Sequence, residues 1–260
     1  MRMMVAATAF ALSALSAFPA GAETRLYRAE YVVSALGLPV GVSKFESAIT
    51  RKSYRLTGTL KARGLAALFQ PTSGSLVAAG RVGGSGLAAR RFTLDYVSGG
   101  SRQFTEIAFA RGAVARTVNR PRVKKRGDWI EVKAAHLAGA LDPISAMLVP
   151  AASPRAVCDR TISVYDGAMR ADIRLSYLRT VPFSTRGYKG DAVTCRAKFL
   201  PVSGYSRSKR EVAWMRDKGR IYVSFAPVEG TGFYAPVKAV VQTQIGPVRI
   251  HARRFESVAQ

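Results

Sequence analysis

Two cysteines, two histidines and one dense run of basic residues are what this 260-residue chain offers for chemistry. Cys158 and Cys195 lie too far apart for a Cys-x-x-Cys redox pair, in which neighbouring sulfurs are poised for exchange. With so few cysteines and histidines, a zinc finger, a cysteine-rich scaffold and an iron–sulfur cluster are ruled out. His136 has the chemistry of a general base, but no signature places a Ser or Cys nucleophile with it. His251 reads as an outward strand residue.

Catalytic motifs are missing. No Gly-x-Ser-x-Gly elbow, Walker loop or His-Glu-x-x-His occurs. Ser206-Arg-Ser-Lys209 fits the Ser-x-x-Lys pattern of penicillin-recognising enzymes, without its Ser-Asp-Asn and Lys-Thr-Gly partners. Arg126-Gly127-Asp128 reads as a turn before Trp129, and Gly80, Gly83, Gly84 and Gly86 open no helix after a strand. Paired carboxylates for glycoside cleavage stay open, because their separation is three-dimensional. The expectation is a protein without catalytic residues, cofactor or metal.

Charge is the strongest functional signal. Forty Lys and Arg stand against 16 Asp and Glu, a net +24. Arg116, Arg120, Arg122, Lys124, Lys125 and Arg126 fall within eleven residues, with Asp128 the first acid after them. In a cytosolic protein such a run points to nucleic acid. Residues 1–22 change that reading. Arg2 is followed by an apolar stretch, Met3 to Phe18, then by Pro19 and the small residues Ala20-Gly21-Ala22. This is the pattern of a cleavable secretory signal, leaving Glu23 as the mature N-terminus. No cysteine follows for lipid attachment, and no other run is long enough to span a bilayer. The expected product is periplasmic, with a net +23 once Arg2 is removed (24 − 1). Its anionic partners are then phospholipid heads, lipopolysaccharide phosphates and wall polymers rather than nucleic acid. A surface charged only for solubility is the alternative.

The elements that position these residues read as β. Composition is globular, with 48% hydrophobic and 22% charged residues. Apolar and polar residues alternate in short runs at 54–61, 91–96, 193–199 and 221–225. Turn chemistry separates them at Ser98-Gly99-Gly100, Asp166-Gly167, Asp217-Lys218-Gly219 and Gly246-Pro247. The fold expected over 23–260 is mainly β. It is a single curved antiparallel sheet closing into a barrel-like or spiral architecture, with one or two short helices. The helix candidates are 141–148, with Asp142 as N-cap and Pro143 in the first turn, and 64–69.

Asp166-Gly167 predicts a two-residue hairpin loop pairing 165 with 168. That register gives an apolar face carrying Val164, Ile162 and Cys158 opposite Met169, Ala171, Ile173 and Leu175. Cys195 lies on the apolar face of its own strand. Both sulfurs then point inward, and an oxidising compartment favours a disulfide. Closing 38 residues is worth about 4 kcal/mol in the chain-entropy model. Arg160 is the one charge on that face. It reads either as the receptor of a carboxylate or phosphate, or as a side chain reaching water or a partner such as Asp142 or Asp191. Asp159, Asp172, Arg170 and Arg174 read as a solvated charge ladder.

The string 141–150 (LDPISAMLVP), then Cys158-Asp-Arg-Thr-Ile-Ser-Val-Tyr-Asp-Gly167, then Cys195, resembles the exported proteobacterial domain of unknown function 3108 family. Gly64-Leu-Ala-Ala-Leu-Phe69, Pro201-Val-Ser-Gly-Tyr205 and Gln242-Thr-Gln-Ile-Gly246 support the resemblance. It implies a secreted β-rich domain and carries no activity. Three functions remain in view. The leading one is a non-enzymatic periplasmic envelope protein that binds anionic components or supports envelope integrity. A carrier holding a lipid inside the curved sheet, with Arg160 on the head group, and an envelope hydrolase follow it.

Overall fold

The computed structural model describes residues 24–84 and 86–258, so the expected leader at 1–22 lies outside the described residues. Seven strands open the chain: β1 (Arg25–Ala35), β2 (Leu38–Ile49), β3 (Ser53–Ala62), β4 (Thr72–Gly83), β5 (Gly86–Ser98), β6 (Ser101–Ala110) and β7 (Ala113–Arg120). A short helix, α1 (Leu65–Phe69), interrupts them between β3 and β4. A long connection follows. It carries β8 (Trp129–Ile130), α2 (Ala134–Leu137), a 3-10 turn at Ser145–Met147, β9 (Val149–Pro150) and a second 3-10 turn at Arg155–Val157. The second half holds β10 (Arg160–Tyr165), β11 (Arg170–Thr185), β12 (Tyr188–Ser203), β13 (Tyr205–Ser206), α3 (Arg210–Asp217), β14 (Arg220–Val228), β15 (Phe233–Thr243) and β16 (Gly246–Val258).

The protein is mainly β, as its alternating pattern requires. Most strands form one antiparallel sheet in the order β10-β11-β12-β14-β15-β16-β1-β2-β3-β4-β5-β6-β7, with β9 added to β15. The last strand, β16, returns to pair with β1, so both ends of the described chain meet in mid-sheet. In β3 the expected alternation is visible directly, Tyr54 and Leu56 buried and Ser53, Arg55 and Thr59 exposed.

Closure is where expectation and structure part. Among the described residues no ladder joins the edge strands β7 and β10, so the sheet is not a closed barrel or a tight spiral. The long connection takes the place where a closing ladder would run. Ala138 bridges Ala113 at the start of β7, and Leu141 bridges Val164 of β10. Asn119 Nδ2 of β7 also donates to the carbonyl of Gly167 at 2.8 Å. Gly167 is obligatory there. Its φ is +102°, and a Cβ would stand 2.5 Å from Thr105 Cγ2.

Two apolar clusters occupy opposite faces of the sheet. The larger sits on the concave side, where Tyr27, Tyr54, Phe92, Ile107 and Phe255 pack around Ala140, Ile144 and Leu148 of the connection. Asp142 does cap the turn expected at 141–148, its Oδ1 accepting from the amides of Ile144 and Ser145 at 3.1 and 2.8 Å. The turn is a single 3-10 turn rather than a helix, and Ser145 Oγ lies 2.8 Å from the Tyr54 hydroxyl. The helix count also differs: α3 and α2 were not expected, and α3 is the longest.

The smaller cluster lies on the other face, beneath residues 149–158. β12 is consequently buried on both sides from Ala192 to Cys195. Cys158 and Cys195 are joined, with their Cα atoms 5.4 Å apart. The face expected for the bridge is correct and the element is not. Cys158 caps the second 3-10 turn, and β10 starts two residues later. The hairpin register slips by two residues as well, pairing Tyr165 with Arg170. Asp166 Oδ1 accepts the amides of Ala168 and Met169, which makes a four-residue loop cheaper than the two-residue turn. A shift of two preserves each side chain's face, so the apolar face was read correctly.

Candidate anion-binding site

The basic run begins on an edge strand and continues where no partner strand follows. Arg116 and Arg120 are exposed on β7, and Arg122, Lys124, Lys125 and Arg126 are exposed on the connection after it. Lys125 Nζ donates to both Glu131 oxygens, at 2.9 and 2.7 Å. The other five make no ion pair among the described residues. Charge along this corner is therefore largely uncompensated, in contrast to Arg91, Arg102 and Arg216, which each meet a carboxylate.

A cleft of about 450 Å³ opens between the end of β7, the connection and the β10–β11 turn. Arg122 and Lys125 line it together with Asn119, Trp129, Glu131 and Tyr165. Local structure holds each wall. Trp129 closes the expected turn, its amide donating to the Arg126 carbonyl at 3.1 Å, and then pairs with Ser206 in the small β8–β13 ribbon. Asp128 Oδ2 accepts the Ser208 amide at 2.6 Å, and hydrogen bonds from Ser208 hold this carboxyl below the usual carboxylate range. Tyr165 is buried and donates to the Gly167 carbonyl at 3.0 Å, and burial pushes its phenol up. Arg122, Lys125 and Trp129 thus share one wall, although sequence spacing linked only the first two. Trp129 carried a readable signal, an aromatic directly after a basic loop, whereas nothing in the sequence marks Asn119.

Arg160 stands apart from this cleft. It opens β10 on the face opposite the concave one, beside Leu175 and the disulfide cluster. Its Nη2 donates to the Ala156 carbonyl at 2.6 Å rather than to Asp142 or Asp191, and its Nε is buried without a partner. Burial lowers its pKa. It lines a separate cleft of about 280 Å³ with Leu87, Leu141 and Pro150. The concave interior, where a carried lipid would sit with Arg160 on its head group, is filled by residues 140–148. The apolar crevice left beside Tyr31, Phe45 and Met147 is about 50 Å³. An acyl chain would need that plug to leave.

The expected charge ladder on the hairpin is partly internal. Arg170 is buried, its Nε donating to the His136 carbonyl at 2.8 Å and its Nη2 to Ser163 Oγ and Asp172 Oδ1. The slipped register also puts Arg174 opposite Thr161 instead of Asp159. His136 Nδ1 accepts the Lys133 amide at 3.2 Å, which makes it a helix cap. His251 is exposed on β16, as expected. Of the Ser-x-x-Lys string, Ser206 is buried and Lys209 is exposed, and the Lys209 amide donates to the Ser206 carbonyl at 3.0 Å.

A family model described as "Protein of unknown function (DUF3108)" matches residues 27–253. The chain belongs to that family. No curated protein matches this DUF3108 chain in sequence. Among solved structures it is similar to a beta-barrel-like protein of domain of unknown function DUF1849 from Brucella abortus, with a TM-score of 0.48 and 8% identity over 91% of this chain and 99% of that one. It is also similar to a putative lipoprotein from Parabacteroides distasonis, with a TM-score of 0.29 and 12% identity over 92% and 97% of the two chains. Among the described residues, no helix of the DUF3108 chain is long and apolar enough to cross a membrane.

Proposed function

We propose that this protein is a non-enzymatic periplasmic envelope protein whose basic run binds anionic envelope components. The observation that carries the reading is the corner where β7 ends. Five cationic side chains without ion pairs among the described residues stand along this corner, and one of them, Arg122, lines the cleft beside Lys125, the Trp129 indole and the Asn119 amide. Guanidinium and ammonium groups hold phosphate or carboxylate through charge-assisted hydrogen bonds. The indole face supplies apolar contact to whatever carries the anion. The leader-like residues 1–22 and the Cys158–Cys195 disulfide support an exported, oxidising location. There the available anions are lipid head groups, lipopolysaccharide phosphates and acidic wall polymers.

The test is sedimentation with phosphatidylglycerol vesicles and with lipopolysaccharide at low and high salt. Binding is expected at low salt and is expected to weaken steeply as salt rises. Reversing Arg122, Lys124 and Arg126 to Glu should cost about 100-fold in affinity or more, at roughly 1 kcal/mol for each basic residue near an anionic surface. Wild-type protein that binds neither at low salt would overturn the reading.

A further inference from the structure

Nine large apolar side chains are exposed among the described residues, and six of them cluster at one end of the sheet. The register shows this. The β15–β16 turn, carrying Ile245, lies beside the β1–β2 turn, carrying Leu36 and Leu38, because Ala35 pairs with both Leu38 and Val248. Leu36 N also donates to the Pro247 carbonyl at 3.3 Å. Next comes the β3–β4 connection with Leu68 and Phe69, tied to β2 by the Arg63 amide on the Val40 carbonyl at 2.9 Å. It reaches the β5–β6 turn through Gln70 Nε2 on Ser98 Oγ at 3.1 Å, beside Val97. Exposure in the turns and α1 runs from 57% for Leu38 to 86% for Phe69.

The opposite end has none of this. Its tips are Thr50-Arg51-Lys52, Arg111-Gly112, Arg186-Gly187 and Glu229-Gly-Thr-Gly232, and no exposed large apolar side chain lies on them among the described residues. Chance scatter of surface leucines would not sort them to one end. Leu36 is also held at φ 52°, a left-handed corner where Gly or Asn costs least. Its side chain lies over Gly246 of the neighbouring turn, which brings the β1–β2 and β15–β16 tips together.

Charge around these tips is mainly positive. Lys61, Arg63, Arg220 and Arg249 are exposed next to the apolar tips, and the basic run leaves the sheet from the same end, since Arg120 pairs with Phe104 just past the β5–β6 turn. Residues 31–45, 57–94 and 230–255, which build all of the tips except Val97, contain no Asp or Glu, and Asp95 beside Val97 is paired with Arg102. A row of protruding apolar tips ringed by cations is not a groove for a peptide. It matches the boundary of an anionic bilayer, with apolar tips among the upper acyl carbons and cations at the phosphates.

We infer that this end of the sheet is a membrane-docking rim, with Leu36, Leu38, Leu68, Phe69 and Ile245 inserted into the interface of an anionic bilayer. The inference rests on the anion-binding reading above and adds an apolar component to it. All these side chains are exposed, so substituting them leaves the core intact.

A Phe69→Trp variant reports insertion. On phosphatidylethanolamine vesicles containing phosphatidylglycerol, its added emission should shift to the blue and be quenched by lipids brominated in the acyl chains. The combined Leu36→Ser, Leu68→Ser and Phe69→Ser variant should bind these vesicles about tenfold more weakly or worse. Its residual binding should be entirely salt-sensitive, whereas wild type keeps a salt-resistant fraction. Vesicle-bound protein without quenching overturns the insertion and leaves the anion-binding reading standing. No vesicle binding at low salt overturns both. A wild-type dimer that the triple variant disperses without lipid assigns the rim to a second copy and overturns the bilayer.

Discussion

At the residue scale, most polar groups that the sequence made conspicuous do structural work. His136 caps α2, Ser206 is buried in the β8–β13 ribbon, and Asp128 clips that ribbon to the basic connection. Asp142 is the sharpest case. It is fully buried, its Oδ1 holds two amides, and its Oδ2 has no partner. Burial pushes its carboxyl up from the usual value, outweighing the hydrogen bonds that would lower it. The folded chain therefore holds this proton more tightly than the unfolded chain. Stability contributed by Asp142 falls as pH rises from about 4, the unfolded value, through the raised folded value. Asp142→Asn keeps the accepting oxygen and removes the charge. It should be more stable than wild type at neutral pH and converge with it near the unfolded carboxylate range, as thermal melts across that pH series will measure. Equal pH slopes for the two proteins would contradict the assignment.

Connections, at the element scale, decide more than strands do. Residues 138–148 fill the concave face and bridge the two edge strands, while residues 149–158 cover the opposite face of β12 and β14. The disulfide fastens that second cover to the sheet. Replacing both Cys158 and Cys195 with Ala should destabilise the protein by up to about 4 kcal/mol, the chain-entropy value for this loop length. Urea melts of wild type with and without reductant should bracket the double variant. An unchanged midpoint would mean that the cover is held by packing of Val157, Leu175 and Phe225 alone.

Across the whole molecule, +24 charges on one chain repel one another. Adding salt from a low starting level should raise Tm by a few degrees, since about 1 kcal/mol corresponds to about 2–4 °C at this size. Calorimetry in sodium chloride checks this, and a falling Tm would show that the ion pairs outweigh the repulsion. Salt should thus strengthen the fold while weakening binding to anionic surfaces.

Period-two alternation, turn chemistry and the cysteine pair were legible in the residues themselves, because each is a local rule. They determined a β-rich chain, the buried face of the β10–β11 hairpin and the cluster of cations around residue 120. Register by two, the 3-10 seat of Cys158, the burial of Arg170 and the open edge between β7 and β10 were not legible. Each depends on which distant segment arrives to satisfy a hydrogen bond or cover a face. The sorting of Leu36, Phe69 and Ile245 to one end belongs to the same class. Singly they are ordinary surface residues, and only the strand order sets them side by side.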